Sequence, residues 1–284
     1  MIDPQDFIKH LQANGVEFFT GVPDSLLKEF CACLEHVPRA GHHIIGANEG
    51  GAVALALGYH LATRKVPLVY LQNSGLGNII NPLLSLADPE VYSVPLLLVI
   101  GWRGEPGVHD EPQHKKQGRV MLSMLEAMEI PHSILGPEIV DPQAALKDAL
   151  AYVRKMSAPY ALVIKKGTFQ SFAAPKVEKT EFPLSREEAI QQVIESLGER
   201  DVLISTTGMP SREVYEYRSK RGEGHQRDFL TVGGMGHASQ IALGIALQKP
   251  GRPVYCLDGD GALLMHMGAL AITGALKPRN FKHI

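Results

Sequence analysis

The sequence predicts an α/β protein of two tandem domains, each a parallel sheet covered by helices. Three observations predict this. Val66 to Leu71 and Pro95 to Ile100 are unbroken apolar runs of strand length, the pattern of strands buried on both faces. Residues 170–184 break the rhythm with Gln170-Ser171-Phe172-Ala173-Ala174-Pro175 and a charged stretch ending at Pro183. Ser185 and Glu188 then have capping-box spacing, and strand–helix alternation restarts with Val202-Leu203-Ile204 and Val254-Tyr255-Cys256-Leu257. The expected boundaries are a domain over 1–170, a linker over 171–184 and a second domain over 185–284.

Taken in order, Asp3-Pro4 predicts a helix start, with Phe7, Ile8 and Leu11 as its apolar stripe and Gly15 as its stop. Val16-Glu17-Phe18-Phe19 predicts a strand running into the turn Gly21-Val22-Pro23-Asp24-Ser25, and His43-Ile44-Ile45 a second short strand. Small and apolar residues from Asn48 to Ala62 predict a buried helix. Phe229-Leu230-Thr231-Val232 reads as a strand ahead of a glycine loop.

Composition excludes several classes. A formal net charge of −2 and an isoelectric point near 6.6 leave no basic field for nucleic acid or an anionic membrane. Cys31, Cys33 and Cys256 form neither a disulfide framework nor a metal-ligand spacing, which suits a reducing cytoplasm. Met1-Ile2-Asp3-Pro4 has no secretory pattern and no apolar run reaches membrane-spanning length, so a cytoplasmic protein without membrane partners is expected.

Two distant segments carry chemistry. Asp258-Gly259-Asp260-Gly261-Ala262 stands between an apolar strand and a helix, where an open α/β sheet binds ligands at its carboxyl edge. Glycines there admit phosphate close to the backbone, and a carboxylate beside phosphate suits Mg²⁺. A helix N-cap aspartate in a tight turn explains Gly-Asp-Gly equally well. Upstream, Gly233-Gly234-Met235-Gly236-His237 is a glycine loop with one bulky apolar residue; Met235 reads either as a clamp on a ring or as a core filler. At the other end, Gly46-Ala47-Asn48-Glu49-Gly50 opens the small-residue helix. A first-turn glutamate favoured by the helix dipole, capped by Asn48, is the simple reading. A buried carboxyl able to donate a hydrogen bond is the chemical one.

These segments, in this order, resemble the thiamin-diphosphate-dependent decarboxylases, and within them the phosphonopyruvate and then the sulfopyruvate branch. Further lines carry the resemblance: Gly21-Val22-Pro23-Asp24-Ser25, Gln72-Asn73-Ser74-Gly75-Leu76-Gly77-Asn78, Gly101-Trp102-Arg103-Gly104, Asp110-Glu111-Pro112-Gln113-His114, and Thr206-Thr207-Gly208 with Ser211-Arg212-Glu213. The resemblance implies a pyrimidine-binding first domain, a diphosphate-binding second domain, and thiamin diphosphate with Mg²⁺ as cofactors. It implies that Glu49 is catalytic, bonding the aminopyrimidine and promoting deprotonation of the thiazolium carbon. Met235 would bend the cofactor, Asp260 would ligate Mg²⁺, and Asn73, Gly234, Gly236, Gly259, Gly261 and Ala262 would line it.

The implied substrate is a small anionic 2-oxo acid, 3-phosphonopyruvate first and sulfopyruvate or another short 2-oxo acid second. Asp24, Ser25, Arg103, His114 and Lys115 are the expected substrate residues, in a loop over 102–119 that also holds His109, Lys116 and Arg119. The resemblance further implies a homodimer or dimer of dimers, because the two ends of one cofactor come from different subunits. It departs at the close: the family's asparagine pair after the next strand lies beyond Ile284, and Asn280 precedes that strand and is not the ligand. This leaves a fragment, a protein lacking part of its metal site, or a non-catalytic binding protein as expectations.

Overall fold

The computed structural model describes residues 1–36, 42–173 and 182–284. The chain divides into two compact units, Met1–Lys176 and Val177–Ile284. Most of the expected linker, residues 174–181, lies outside the described residues.

In the first unit the elements are α1 (Pro4–Ala13), β1 (Phe19–Gly21), α2 (Lys28–Glu35), β2 (His43–Ile45), α3 (Glu49–Thr63), β3 (Leu68–Gln72), α4 (Leu76–Pro82), β4 (Leu96–Gly101), α5 (Pro112–Ala127), β5 (His132–Leu135), α6 (Pro142–Met156) and β6 (Pro159–Ile164). The strands pair in parallel in the order β2-β1-β3-β4-β6-β5. Their alternation explains the unbroken apolar runs. Leu68, Tyr70, Leu97, Val99, Leu162 and Ile164 face one core, while Val69, Leu71, Leu96, Leu98, Ile100 and Val163 face the other. Successive strand residues point to opposite sides, so a sheet covered twice needs an apolar residue at every position. Each such side chain, fully buried, contributes roughly 2 kcal/mol.

Local signals hold at the helix starts. The Asp3 carboxylate accepts from the N–H groups of Gln5 and Asp6 while Pro4 occupies the first turn. Asn48 caps α3 by accepting from the Gly51 N–H at 2.8 Å. Two expectations need correction. The first strand begins at Phe19 rather than Val16, because the Val16 N–H bonds the Leu11 carbonyl and is used to close α1. The helix α3 is not buried all round: Ala52, Val53, Ala56 and Leu57 enter the core, but Gly51, Ala54, Leu55, Gly58 and Leu61 are exposed on its other side.

The second unit contains α7 (Arg186–Ser196), β7 (Val202–Ser205), α8 (Met209–Lys220), β8 (Asp228–Leu230), α9 (Ala238–Gln248), β9 (Val254–Leu257), α10 (Asp260–Met265), α11 (Ala269–Leu276) and β10 (Phe281–His283). Its strands are parallel in the order β10-β9-β7-β8. The capping box forms as spaced: the Ser185 N–H donates to Glu188 Oε2 at 2.7 Å and the Glu188 N–H to Ser185 Oγ at 3.2 Å. The strand expected over Phe229–Val232 is shifted to Asp228–Leu230, since only Leu203, Ile204 and Ser205 of β7 offer it partners. The helix after Gly-Asp-Gly starts at Asp260. Asn280 is occupied structurally, its Nδ2 lying 2.8 to 3.0 Å from the carbonyls of Ala246, Lys249 and Arg252. Among the described residues no helix is long and apolar enough to cross a membrane.

Candidate functional site

In the first unit β1 is followed by β2 on one side and β3 on the other, which puts a topological switch point at the carboxyl ends of β1 and β3. The turn after β1 delivers Asp24 and Ser25 there, and β3 ends in Gln72. Asp24 is 4% exposed; its Oδ1 accepts from Gln72 Nε2 at 2.7 Å, and its Oδ2 has no hydrogen-bond partner among the described residues. Burial pushes the Asp24 carboxyl above its ordinary value, outweighing the bond from Gln72 and the nearby Arg103 charge.

Arg103, just beyond β4, is a second anchor. Its Nε and Nη2 donate to Asp110 at 2.8 and 2.5 Å, and its Nη1 donates to Ser25 Oγ at 2.7 Å. The bidentate bond from Arg103 holds the Asp110 carboxyl well below the usual range, helped by the Gly104 and Glu111 N–H groups. The same bond raises Arg103 further. His114, on the first turn of α5, is pushed below its ordinary value by burial and by the Arg103 charge. A cleft of about 440 Å³ opens beside these groups, with Ser25, Lys28, Trp102, Arg103, Asp110 and Lys166 in its wall. Of the expected substrate residues, Ser25 and Arg103 line this cleft. Asp24 lies buried next to Ser25, His114 is half-buried, and Lys115 is exposed. Asp110 was part of a recognised line without a role; a carboxylate seven residues from Arg103 in a glycine- and proline-rich loop was the available signal.

Glu49 opens α3 and is 5% exposed. Asn78 Nδ2 donates to its Oε2 at 2.8 Å. Gly75 lies directly against it: a Cβ there would stand 2.3 Å from Glu49 Oε1. Sequence reading gave neither Asn78 nor Gly75 a role, and their contact with Glu49 spans more than 25 residues of chain. Asn73 is 1% exposed and both ends of its amide are engaged, Nδ2 with the Arg103 carbonyl at 2.8 Å and Oδ1 with the Arg103 N–H at 3.1 Å. It ties the segment after β3 to the one after β4.

In the second unit the switch point falls between β7 and β9, and Asp258-Gly259-Asp260-Gly261 leaves the carboxyl end of β9 there. Asp260 is exposed, with Oδ1 accepting from the Gly261 N–H at 2.8 Å. Met235 is 39% exposed, so it is not a core filler within this unit, and its Cε would touch a Cβ on Gly261 at 2.9 Å. Gly236 has φ +85°, and a Cβ there would stand 2.5 Å from His266 Cδ2. Bare backbone, an exposed carboxylate and an exposed thioether at one sheet edge form a cradle whose donor set fits a diphosphate with a divalent cation. Gly234 is exposed in the same loop, Gly259 and Gly261 flank Asp260, and Ala262 follows in the first turn of α10.

Behind the cradle, Cys256, Asp258 and His283 place their ligand atoms within 4.8 Å of one another. Asp258 Oδ2 and His283 Nε2 are bonded directly at 2.9 Å. Burial pushes the Cys256 thiol up to about 12, so it is held protonated. Burial also pushes the Asp258 carboxyl up, but bonds from His283 and the Gly259 N–H outweigh it and leave it below its ordinary value. The Asp258–His283 pair therefore reads as a hydrogen-bonded support for the turn, with the buried Cys256 beside it.

The sequence pattern of the thiamine pyrophosphate enzyme N-terminal TPP binding domain matches residues 4–128, and that of the C-terminal TPP binding domain matches residues 206–284. A phosphonopyruvate decarboxylase of Streptomyces viridochromogenes is 32% identical, with 100% of this chain and 73% of that protein covered. A sulfopyruvate decarboxylase of Methanosarcina acetivorans is 24% identical over 99% of this chain and 74% of its own length. Among solved structures, benzoylformate decarboxylase from Polynucleobacter necessarius is 19% identical, with a TM-score of 0.49 over 90% of this chain and 43% of that one. The chain belongs to the thiamin-diphosphate-dependent decarboxylase family.

Proposed function

We propose that the protein decarboxylates 3-phosphonopyruvate to phosphonoacetaldehyde and CO₂ with thiamin diphosphate and Mg²⁺. The observation that carries this reading is the 32% identity to a phosphonopyruvate decarboxylase across the whole chain. When bound, thiamin diphosphate supplies the electron sink for the bond to the departing carboxylate. Everything else falls to this chain's residues. Asp260 would hold the Mg²⁺ that neutralises the diphosphate, and Gly234, Gly236, Gly259, Gly261 and Ala262 would present backbone to it. Met235 would supply an apolar side chain against the cofactor. Glu49 would be the carboxyl that holds or moves a proton at the cofactor's ring, and Asn73 ties the segment after β3 to the one after β4.

The anionic group of the substrate is read in the first unit's cleft. Arg103 keeps two of its five N–H donors beyond those on Asp110 and Ser25. Planar donors of this kind suit a phosphonate. Ser25, Lys115 and the neutral imidazole of His114 add donors, and Asp24 fixes the turn on which Ser25 stands. The exposed apolar face of α3, with Leu61 59% exposed, supports a homodimer or dimer of dimers. Sulfopyruvate is the second reading, favoured by the full-chain likeness to a sulfopyruvate decarboxylase.

Steady-state CO₂ release from phosphonopyruvate, sulfopyruvate and pyruvate tests the assignment. Phosphonopyruvate is expected to have the highest kcat/KM by at least about tenfold, the discrimination a pair of charge-assisted bonds gives. A preference for sulfopyruvate or pyruvate would overturn it.

A further inference from the structure

The two contacts on Glu49 carry a consequence for its two oxygens. A glutamate in the first turn of a helix has three rotatable bonds and, left alone, samples several directions. Here both sides of its carboxyl are fixed. Asn78, in the first turn of α4, donates Nδ2–H to Oε2 at 2.8 Å. Oε1 lies over the bare Cα of Gly75, where a Cβ would stand 2.3 Å from Oε1 and 2.6 Å from the carboxyl carbon. An amide N–H cannot accept a proton, so a proton on the carboxyl is disfavoured on Oε2 and falls to Oε1.

We propose that Asn78 is a positioning residue for Glu49, holding Oε2 so that Oε1 is the oxygen that gives and takes the proton, with Gly75 leaving the room this orientation needs. The proposal rests on the reading of Glu49 as the coenzyme-activating carboxyl. It adds a division of labour between the two oxygens and a partner from a different helix. The amide orientation follows from the partner: turned over, Asn78 would present Oδ1 to an ionised carboxylate, oxygen against oxygen. The contact is partly buried, where a hydrogen bond to a charged group has its larger effect.

The readout is the exchange of the coenzyme's thiazolium C2 proton with D₂O in the holoenzyme without substrate, alongside calorimetric coenzyme affinity. Asn78→Ala is expected to slow exchange about tenfold, the effect of losing one bond to a charged group. Coenzyme affinity should stay within about threefold, since the bond is not made to the coenzyme. Asn78→Asp is the closer match in shape, yet it sets a carboxylate against Glu49 and should be slower than Asn78→Ala. A merely space-filling role predicts the opposite order. In a Glu49→Gln background, Asn78→Ala should slow exchange no further. Where the alanine variant does not fold, Asn78→Ser keeps a donor on a shorter arm and should fall between wild type and Asn78→Asp. A slow Glu49→Gln together with a wild-type rate in Asn78→Asp, or additive losses in the double variant, overturns the role of Asn78 alone. A wild-type rate in Glu49→Gln itself overturns the reading of Glu49 and this proposal with it.

Discussion

Asp24 is a carboxylate whose second oxygen is buried and has no hydrogen-bond partner among the described residues. Burial raises its proton affinity in the folded state above that in the unfolded chain. The folded state then binds more protons than the unfolded state once pH rises past the ordinary carboxylate range. The slope of unfolding free energy with pH is therefore negative for this group. Its favourable contribution is complete below the unfolded pKa and is lost as pH climbs through the raised folded value. Asp24→Asn keeps an oxygen for Gln72 and removes the charge, so it should melt higher than wild type at pH 7. The gap should narrow as pH falls through the raised folded value and be closed below the ordinary carboxylate range; melting curves across pH check this, and equal melting temperatures throughout would contradict it. Glu49 and Asp260 were legible as candidates because glycines and apolar residues surround them along the chain. The isolation of Asp24 and the contacts of Asn78 were not, because their partners come from a separate strand or helix. Arg103 was legible as a cation but not as one already bonded on three of its donors.

At the scale of elements, α3 shows how a uniform sequence acquires two different faces. Its residues are small or apolar nearly throughout, so periodicity could not tell core side from outer side, and the helix was expected to be buried. The sheet takes Ala52, Val53, Ala56 and Leu57, and the spacing then leaves Leu55 and Leu61 outward, with Ile44 and Ile45 of β2 also exposed. The proposed self-association covers this face. Leu61→Lys should shift the protein toward monomer in sedimentation equilibrium by about 2 kcal/mol of association energy per buried leucine, while the far-UV dichroism stays unchanged. An unchanged oligomer would remove α3 from the interface. Strand positions were easier to read: His43–Ile45 and Val254–Leu257 coincide with the expected runs. The first strand was misplaced because Val16, apolar and buried, serves the end of α1.

For the molecule as a whole, each unit carries its candidate site turns at a switch point of a parallel sheet, and each turn was visible in the sequence as glycine beside carboxylate or amide. The strand order that creates those switch points was not visible, because it depends on which distant strands pair. The central claim is that Asp260 binds the coenzyme's diphosphate through Mg²⁺ whereas Glu49 acts on its ring without being needed to hold it. Calorimetric titration of the protein with thiamin diphosphate and Mg²⁺ tests this most directly. Wild type and Glu49→Gln should bind within a few fold of each other, and Asp260→Ala should lose at least about tenfold in affinity together with its Mg²⁺ dependence, as expected for removal of a hard-cation ligand. Undiminished, Mg²⁺-dependent binding by Asp260→Ala would contradict the account.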